Sequence, residues 1–145
     1  MKRHIFFLSL LYSAFALDAV AEENPDKIIG VWKSDADGLM VKIDKVGDHF
    51  QGRIVWIESG DDQGLVCDEK NPDKRLASMP LKGNKIIQEL NFNAAESIWD
   101  GGTFYSYKEG KRYRCRIKLS NENQISIQKI LKGNQATASE IWIRQ

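Results

Sequence analysis

The 145-residue sequence is poor in the side chains that most often ligate metals or act as general bases, with two histidines and two cysteines in all. His4, His49, Cys67 and Cys115 stand at scattered positions without the short ligand spacing of a zinc site. No metal site and no cofactor are therefore expected. Neither a Gly-x-Ser-x-Gly elbow nor a Gly-rich phosphate loop ending in Lys-Ser/Thr occurs. With no recognisable catalytic constellation, an enzyme is not expected. Asp61, Asp62, Asp68, Glu69 and Asp73 crowd one polar stretch, which reads as a solvated acidic loop rather than a glycosidase carboxylate pair. An excess of one charge is lacking too. The 21 Lys and Arg residues against 20 Asp and Glu leave a formal net charge of +1, without the basic surplus used to grip nucleic-acid phosphates. Nucleic acid is not an expected partner.

No apolar run reaches the roughly 20 residues needed to cross a bilayer as a helix. The longest, Ile5 to Leu17, follows the basic start Lys2-Arg3-His4 and precedes the small-x-small end Ala19-Val20-Ala21. A sharply polar stretch begins at Glu22. Basic start, apolar middle and small-residue end are the marks of a secretory signal peptide. Residues 1–21 are thus expected to be a leader cleaved after Ala21, with Ala14-Phe15-Ala16 as a second candidate site. Residues 22–145 are expected to form one exported domain, periplasmic or secreted, with no integral membrane segment after cleavage. No cysteine stands near the cleavage site to carry a lipid. The 124 residues left are enough for an independent core. In an oxidising compartment an even cysteine count suggests a Cys67–Cys115 disulfide. The alternative is two thiols, with Cys115 packed in the core.

What the sequence has throughout is period-two alternation of apolar and polar residues. Strands are expected over residues 28–34, 39–45, 49–57, 85–92, 101–107, 111–119, 124–131 and 136–144, joined mostly by short Gly-, Asn- and Asp-containing turns. The sixth alternates most cleanly. Tyr113, Cys115, Ile117 and Leu119 are expected to face the core, and Arg112, Arg114, Arg116 and Lys118 to face water. Arg53 has apolar neighbours on both faces, and an inward Arg53 would need a carboxylate or ligand partner. Between the third and fourth strands lies a long polar loop, residues 58–83. There Asn71 is placed to cap a short helix with Pro72 at its first position, and Pro80 bars extension. Loops this long inside a small domain are usually functional or mobile. Eight successive antiparallel strands predict an all-β, up-and-down barrel with one long helix-bearing loop between strands 3 and 4. A two-sheet sandwich is the alternative.

The first strand opens with Ile29-Gly30-Val31-Trp32 and the last ends with Trp142-Ile143-Arg144. This pair resembles the lipocalin and wider calycin arrangement. The resemblance implies that Trp32 closes one barrel end under the Arg144 guanidinium, a cation–π contact of about 0.5–2 kcal/mol. It gives Trp142 a structural part beside them. Asp68 to Leu76, Met79-Pro80-Leu81-x-Gly83, Gly101-Gly102-Thr103-Phe104-Tyr105 and Gly110-Lys111-x-Tyr113 resemble an exported bacterial family known as domain of unknown function 2147. That resemblance runs from Gly30 to Arg144 and implies export and a lipocalin-like barrel, with no activity attached. The chain departs from the family's pattern at Ser106-Tyr107 and at Arg75-Leu76-Ala77-Ser78-Met79-Pro80.

Two functions are consistent with these features. In the first, a small, partly apolar or amphipathic molecule binds in or at the mouth of the barrel, contacting Arg53, Trp56, Asn71, Asp73, Arg75 or Tyr105. In the second, the protein is a ligand-free structural or interaction module of the envelope that presents the 58–83 loop to a protein partner. Bulky inward side chains would fill the barrel, and small ones would leave a cavity.

Overall fold

The alternation is realised as eight antiparallel strands, in a computed structural model that describes residues 23–58 and 66–145. The proposed leader and its cleavage sites lie outside the described residues, as do Asp61 and Asp62. The strands are β1 (Gly30–Ser34), β2 (Leu39–Val46), β3 (His49–Ile57), β4 (Lys85–Asn93), β5 (Ile98–Ser106), β6 (Lys111–Asn121), β7 (Gln124–Ile130) and β8 (Glu140–Arg144). Each pairs with the next, and β8 returns to β1 through Trp32↔Arg144 and Ser34↔Trp142. The sheet closes into a barrel and so has no open edge to invite further pairing.

Boundaries differ from the sequence pattern where other contacts intervene. β5 begins at Ile98 rather than Gly101, because Ile98 and Trp99 pair with Lys118 and Ile117 across β6. The Trp99 indole also donates to the Pro25 carbonyl at 3.2 Å. β8 begins at Glu140 rather than Ala136. Thr137 is drawn aside, its backbone N–H bonding the Lys129 carbonyl at 2.9 Å. Before β1, Pro25–Ile28 form a 3-10 turn capped by Asn24. The loop helix is a single turn, α1 (Lys74–Ala77), and its cap is Asp73 instead of Asn71. The Asn71 side chain is occupied one step earlier, accepting from the Asp73 N–H across Pro72 at 2.9 Å.

Bulky side chains fill the interior, among them Trp32, Phe50, Ile87, Phe104, Ile117 and Trp142. On β6, Cys115 and Ile117 are buried while Arg114 and Arg116 are exposed. The expected disulfide is absent: Cys67 and Cys115 are not bonded to each other. Cys115 faces the barrel core, where burial pushes its thiol up to about 12. Cys67 lies in the β3–β4 connection, and its thiol donates to the Ser78 carbonyl at 3.4 Å.

One barrel end is sealed by the two residues that the lipocalin pattern pairs. The Arg144 guanidinium lies 4.1 Å from the centre of the Trp32 ring. Its nitrogens donate to the carbonyls of Glu122 (2.7 Å), Ile29 (2.8 Å) and Lys27 (2.6 Å). Gly30, at φ +151°, is required beside them, since a Cβ there would strike the Arg144 guanidinium.

Candidate functional site

The β3–β4 connection leaves the opposite end of the barrel and folds back on itself. Leu81 N–H bonds the Val66 carbonyl at 2.9 Å and Asp68 N–H bonds the Met79 carbonyl at 3.1 Å, making a narrow ribbon. Leu81 is fully buried in the core and Val66 packs against it, so apolar burial fixes the base of the ribbon. Gly83 N–H and the Ile54 carbonyl (2.8 Å), with Ile54 N–H and the Asn84 carbonyl (3.0 Å), tie it to β3.

The ribbon is then latched to the outer wall. Phe104 turns inward, edge-on to Trp142 at 6.1 Å between ring centroids, so its neighbour Tyr105 turns outward. The Tyr105 hydroxyl donates to Asp68 Oδ1 at 2.8 Å, and Asn71 Nδ2 donates to Asp68 Oδ2 at 2.8 Å. Asp68 is only 1% exposed, and both of its carboxylate oxygens are occupied. Arg112, opposite Tyr105 in the β5–β6 ladder, lies 5.5 Å over the phenol ring and donates to Thr103 Oγ1 at 3.1 Å. A further tie runs from Lys70 Nζ to the Lys108 carbonyl at 2.6 Å. Gly110, at φ +63°, leaves the room that the Lys70 carbonyl occupies.

Burial, followed by the hydrogen bond to Asp68, raises the Tyr105 phenol from its ordinary 10 to about 12. The neutral phenol is therefore favoured in the fold. Its contribution is complete below pH 10 and is lost as pH rises from 10 towards 12. Tyr105→Phe is expected to cost about 1–3 kcal/mol at pH 7, because one oxygen of a buried carboxylate loses its donor. The variant should also lose this part of the alkaline destabilisation. Urea unfolding at pH 7 and pH 11 measures both, and an unchanged midpoint at pH 7 would exclude the latch.

Between ribbon and wall lies a cleft of about 490 Å³. Leu76, Met79 and Pro80 line it from the ribbon, Gln88 and Tyr105 from the wall, and Lys82, Lys85 and Arg112 add positive charge. Leu76 and Met79 are 48% and 52% exposed, unusually open for such apolar side chains.

A second polar cluster ties the β1–β2 turn to the start of β8. Ser34 Oγ donates to Glu140 Oε1 at 2.6 Å, and Trp142 Nε1 donates to the same oxygen at 2.7 Å. The Asp37 N–H donates to Ser34 Oγ at 3.1 Å. Burial and the neighbouring Glu140 carboxylate raise the Asp37 carboxyl above the usual range, outweighing Lys108 at 3.5 Å.

The sequence pattern of a bacterial family described as "Uncharacterized protein conserved in bacteria (DUF2147)" matches residues 30–144. The chain belongs to this family. Among solved structures, this DUF2147 protein is similar to the Helicobacter pylori protein HP1028, which is described as belonging to the lipocalin family. The TM-score is 0.67 at 17% identity, covering 81% of this chain and 82% of that one. The likeness establishes a lipocalin-like fold. No curated protein matches the chain. Among the described residues, no helix is long and apolar enough to cross a membrane.

Of the six expected ligand contacts, this DUF2147 protein brings Asn71 and Tyr105 to the cleft and leaves Arg53, Trp56, Asp73 and Arg75 outside its lining. Asp68, expected in a solvated acidic loop, is instead buried at the cleft by its bonds to Tyr105 and Asn71. Asp73 and Arg75 pair with each other at 2.9 Å on the exposed turn, where the Arg75 hydrogen bonds hold the Asp73 carboxyl below the usual range. Arg53 does not point into the barrel. Phe50, Gly52 and Ile54 take the inner face of β3, so Arg53 is exposed and donates to the Gly83 carbonyl. Trp56 is 40% exposed, because a bulge between Met40 and Val41 sets it opposite Met40 on the outer wall. Sequence reasoning missed Leu76, Met79, Lys82, Lys85 and Arg112 as cleft residues. They carry no motif, and only the ribbon's fold-back unites them with Tyr105.

Proposed function

We propose that this protein is an exported binding protein that holds a small, partly apolar molecule in the cleft between the 66–84 ribbon and the outer wall. One observation carries this reading: bulky side chains fill the barrel interior, whereas the cleft is open and has both apolar and polar walls. A site of this volume falls within the usual range for small-molecule pockets, about 300–1,000 Å³. The ribbon is a fixed wall rather than a free loop, since Leu81 and Asp68 are buried at its two sides. A largely preformed site loses less ordering entropy on binding. Export rests on the leader-like residues 1–21.

The exposed Leu76 and Met79 also favour a second reading, in which they dock a protein partner. Native mass spectrometry of the protein purified from its own envelope separates the two. The expected spectrum has a mature chain beginning at Glu22 with a bound small molecule, and Met79→Asp loses that molecule while staying folded. A ligand-free mass for the wild-type chain would contradict the binding reading.

A further inference from the structure

Among the described residues lining the cleft, cations outnumber acids three to one. Lys82, Lys85 and Arg112 line it, and none of the three forms an ion pair among the described residues. Among the described residues the one acid in the lining is Asp68, and its two oxygens already accept from Tyr105 and Asn71 behind the surface. Among the described residues, a cationic head entering here would meet three like charges against one carboxylate that two donors already engage. An anionic head would meet complementary charge from three exposed cations, an attraction that salt screens.

Arg112 is the best placed of the three. Its Cζ lies 5.5 Å from the centre of the Tyr105 ring and Nη1 is held by Thr103, so the side chain is oriented before any ligand arrives. A guanidinium has five N–H donors, so others remain for a planar or tetrahedral oxyanion. On the ribbon side the surface is apolar: Leu76, Met79 and Pro80. Methionine is suited to a flexible alkyl chain because its unbranched, polarisable side chain adapts to irregular contacts.

Building on the cleft reading, we infer that the ligand is a single-chain amphiphile with an anionic head, its head at Arg112 and Lys85 and its chain along Leu76 and Met79. The test is isothermal titration calorimetry of the folded chain from residue 22 with dodecyl compounds, each below its micelle-forming concentration. Dodecanoate and dodecyl phosphate are the anionic probes, and their relative affinities distinguish a carboxylate from a phosphate head. Dodecanol, dodecyltrimethylammonium and acetate are the controls. At least one anionic probe is expected to bind one to one, at least tenfold tighter than dodecanol, and the ammonium compound and acetate are expected to bind more weakly still.

Lys82→Gln with Lys85→Gln is expected to weaken the anionic probe about tenfold while changing dodecanol less than threefold. Arg112→Gln should do the same, with circular dichroism confirming that it remains folded. The lysine pair keeps the test valid if loss of Arg112 unfolds the chain. Dodecanol or the ammonium compound binding as tightly as the anions would overturn the anionic head and leave the cleft intact. No binding by any dodecyl compound would overturn the amphiphile, and the envelope-purified mass then judges the cleft separately.

Discussion

Trp32→Ala is expected to lower the unfolding free energy by about 3–5 kcal/mol. The indole is fully buried and its N–H donates to the Ile28 carbonyl at 2.9 Å, so truncation leaves both a cavity and an unmatched acceptor. It also removes the floor beneath Arg144, which holds the carbonyls of Lys27, Ile29 and Glu122 around the sealed end. Because those carbonyls come from the 3-10 turn, its link to β1, and the β6–β7 turn, the loss should spread across the whole closed end. Arg144→Met is expected to cost less, since the indole stays packed. Denaturant unfolding of both single variants and the double variant gives the coupling, expected at about 0.5–2 kcal/mol. A loss below about 1 kcal/mol for Trp32→Ala would mean that the indole is not the closing residue.

Gly102→Val is expected to cost about 3 kcal/mol. A Cβ at Gly102 would fall on the Gln88 carbonyl oxygen, and within 2.7 Å of Leu90 N and 2.9 Å of Glu89 C. All three neighbours are backbone, so no side chain can rotate away. At this contact Glu89 adopts φ +58°, a left-handed conformation uncommon outside glycine. Gly52 is a useful contrast. There the crowding atoms belong to the side chains of Val41 and Ile87, and repacking can relieve part of it. Thermal unfolding should place Gly102→Val several degrees below the wild-type chain, and a shift under about 2 °C would contradict the backbone clash.

The barrel was legible in the sequence because alternation is a local signal. On β6 the buried Cys115 and Ile117 and the exposed Arg114 and Arg116 follow it directly. The boundaries that slipped did so for nonlocal reasons, such as the pairing of Ile98 and Trp99 with β6. Faces were harder to read on β3. One bulge changes which side a residue takes, and the Met40/Val41 irregularity decides the place of Trp56. The cysteine count invited a disulfide, but counting carries no geometry, and Cys115 lies within the core. The cleft was the least legible part. Asp68 is one acid among several in a polar stretch, and its burial depends on Tyr105, 37 positions away. Arg112 looked like one more solvent-facing member of an alternating strand.

Chemical-shift mapping of the 15N-labelled chain during titration with dodecanoate asks most directly whether ligand sits on the outer wall or inside the barrel. Backbone amides at Asn71, Met79, Lys82, Lys85, Tyr105 and Arg112 are expected to move together and saturate at one equivalent, with those of the inward-facing Ile117, Ile125 and Trp142 unmoved. Saturable shifts centred on Ile117, Ile125 and Trp142, with the ribbon silent, would contradict an outer-wall site.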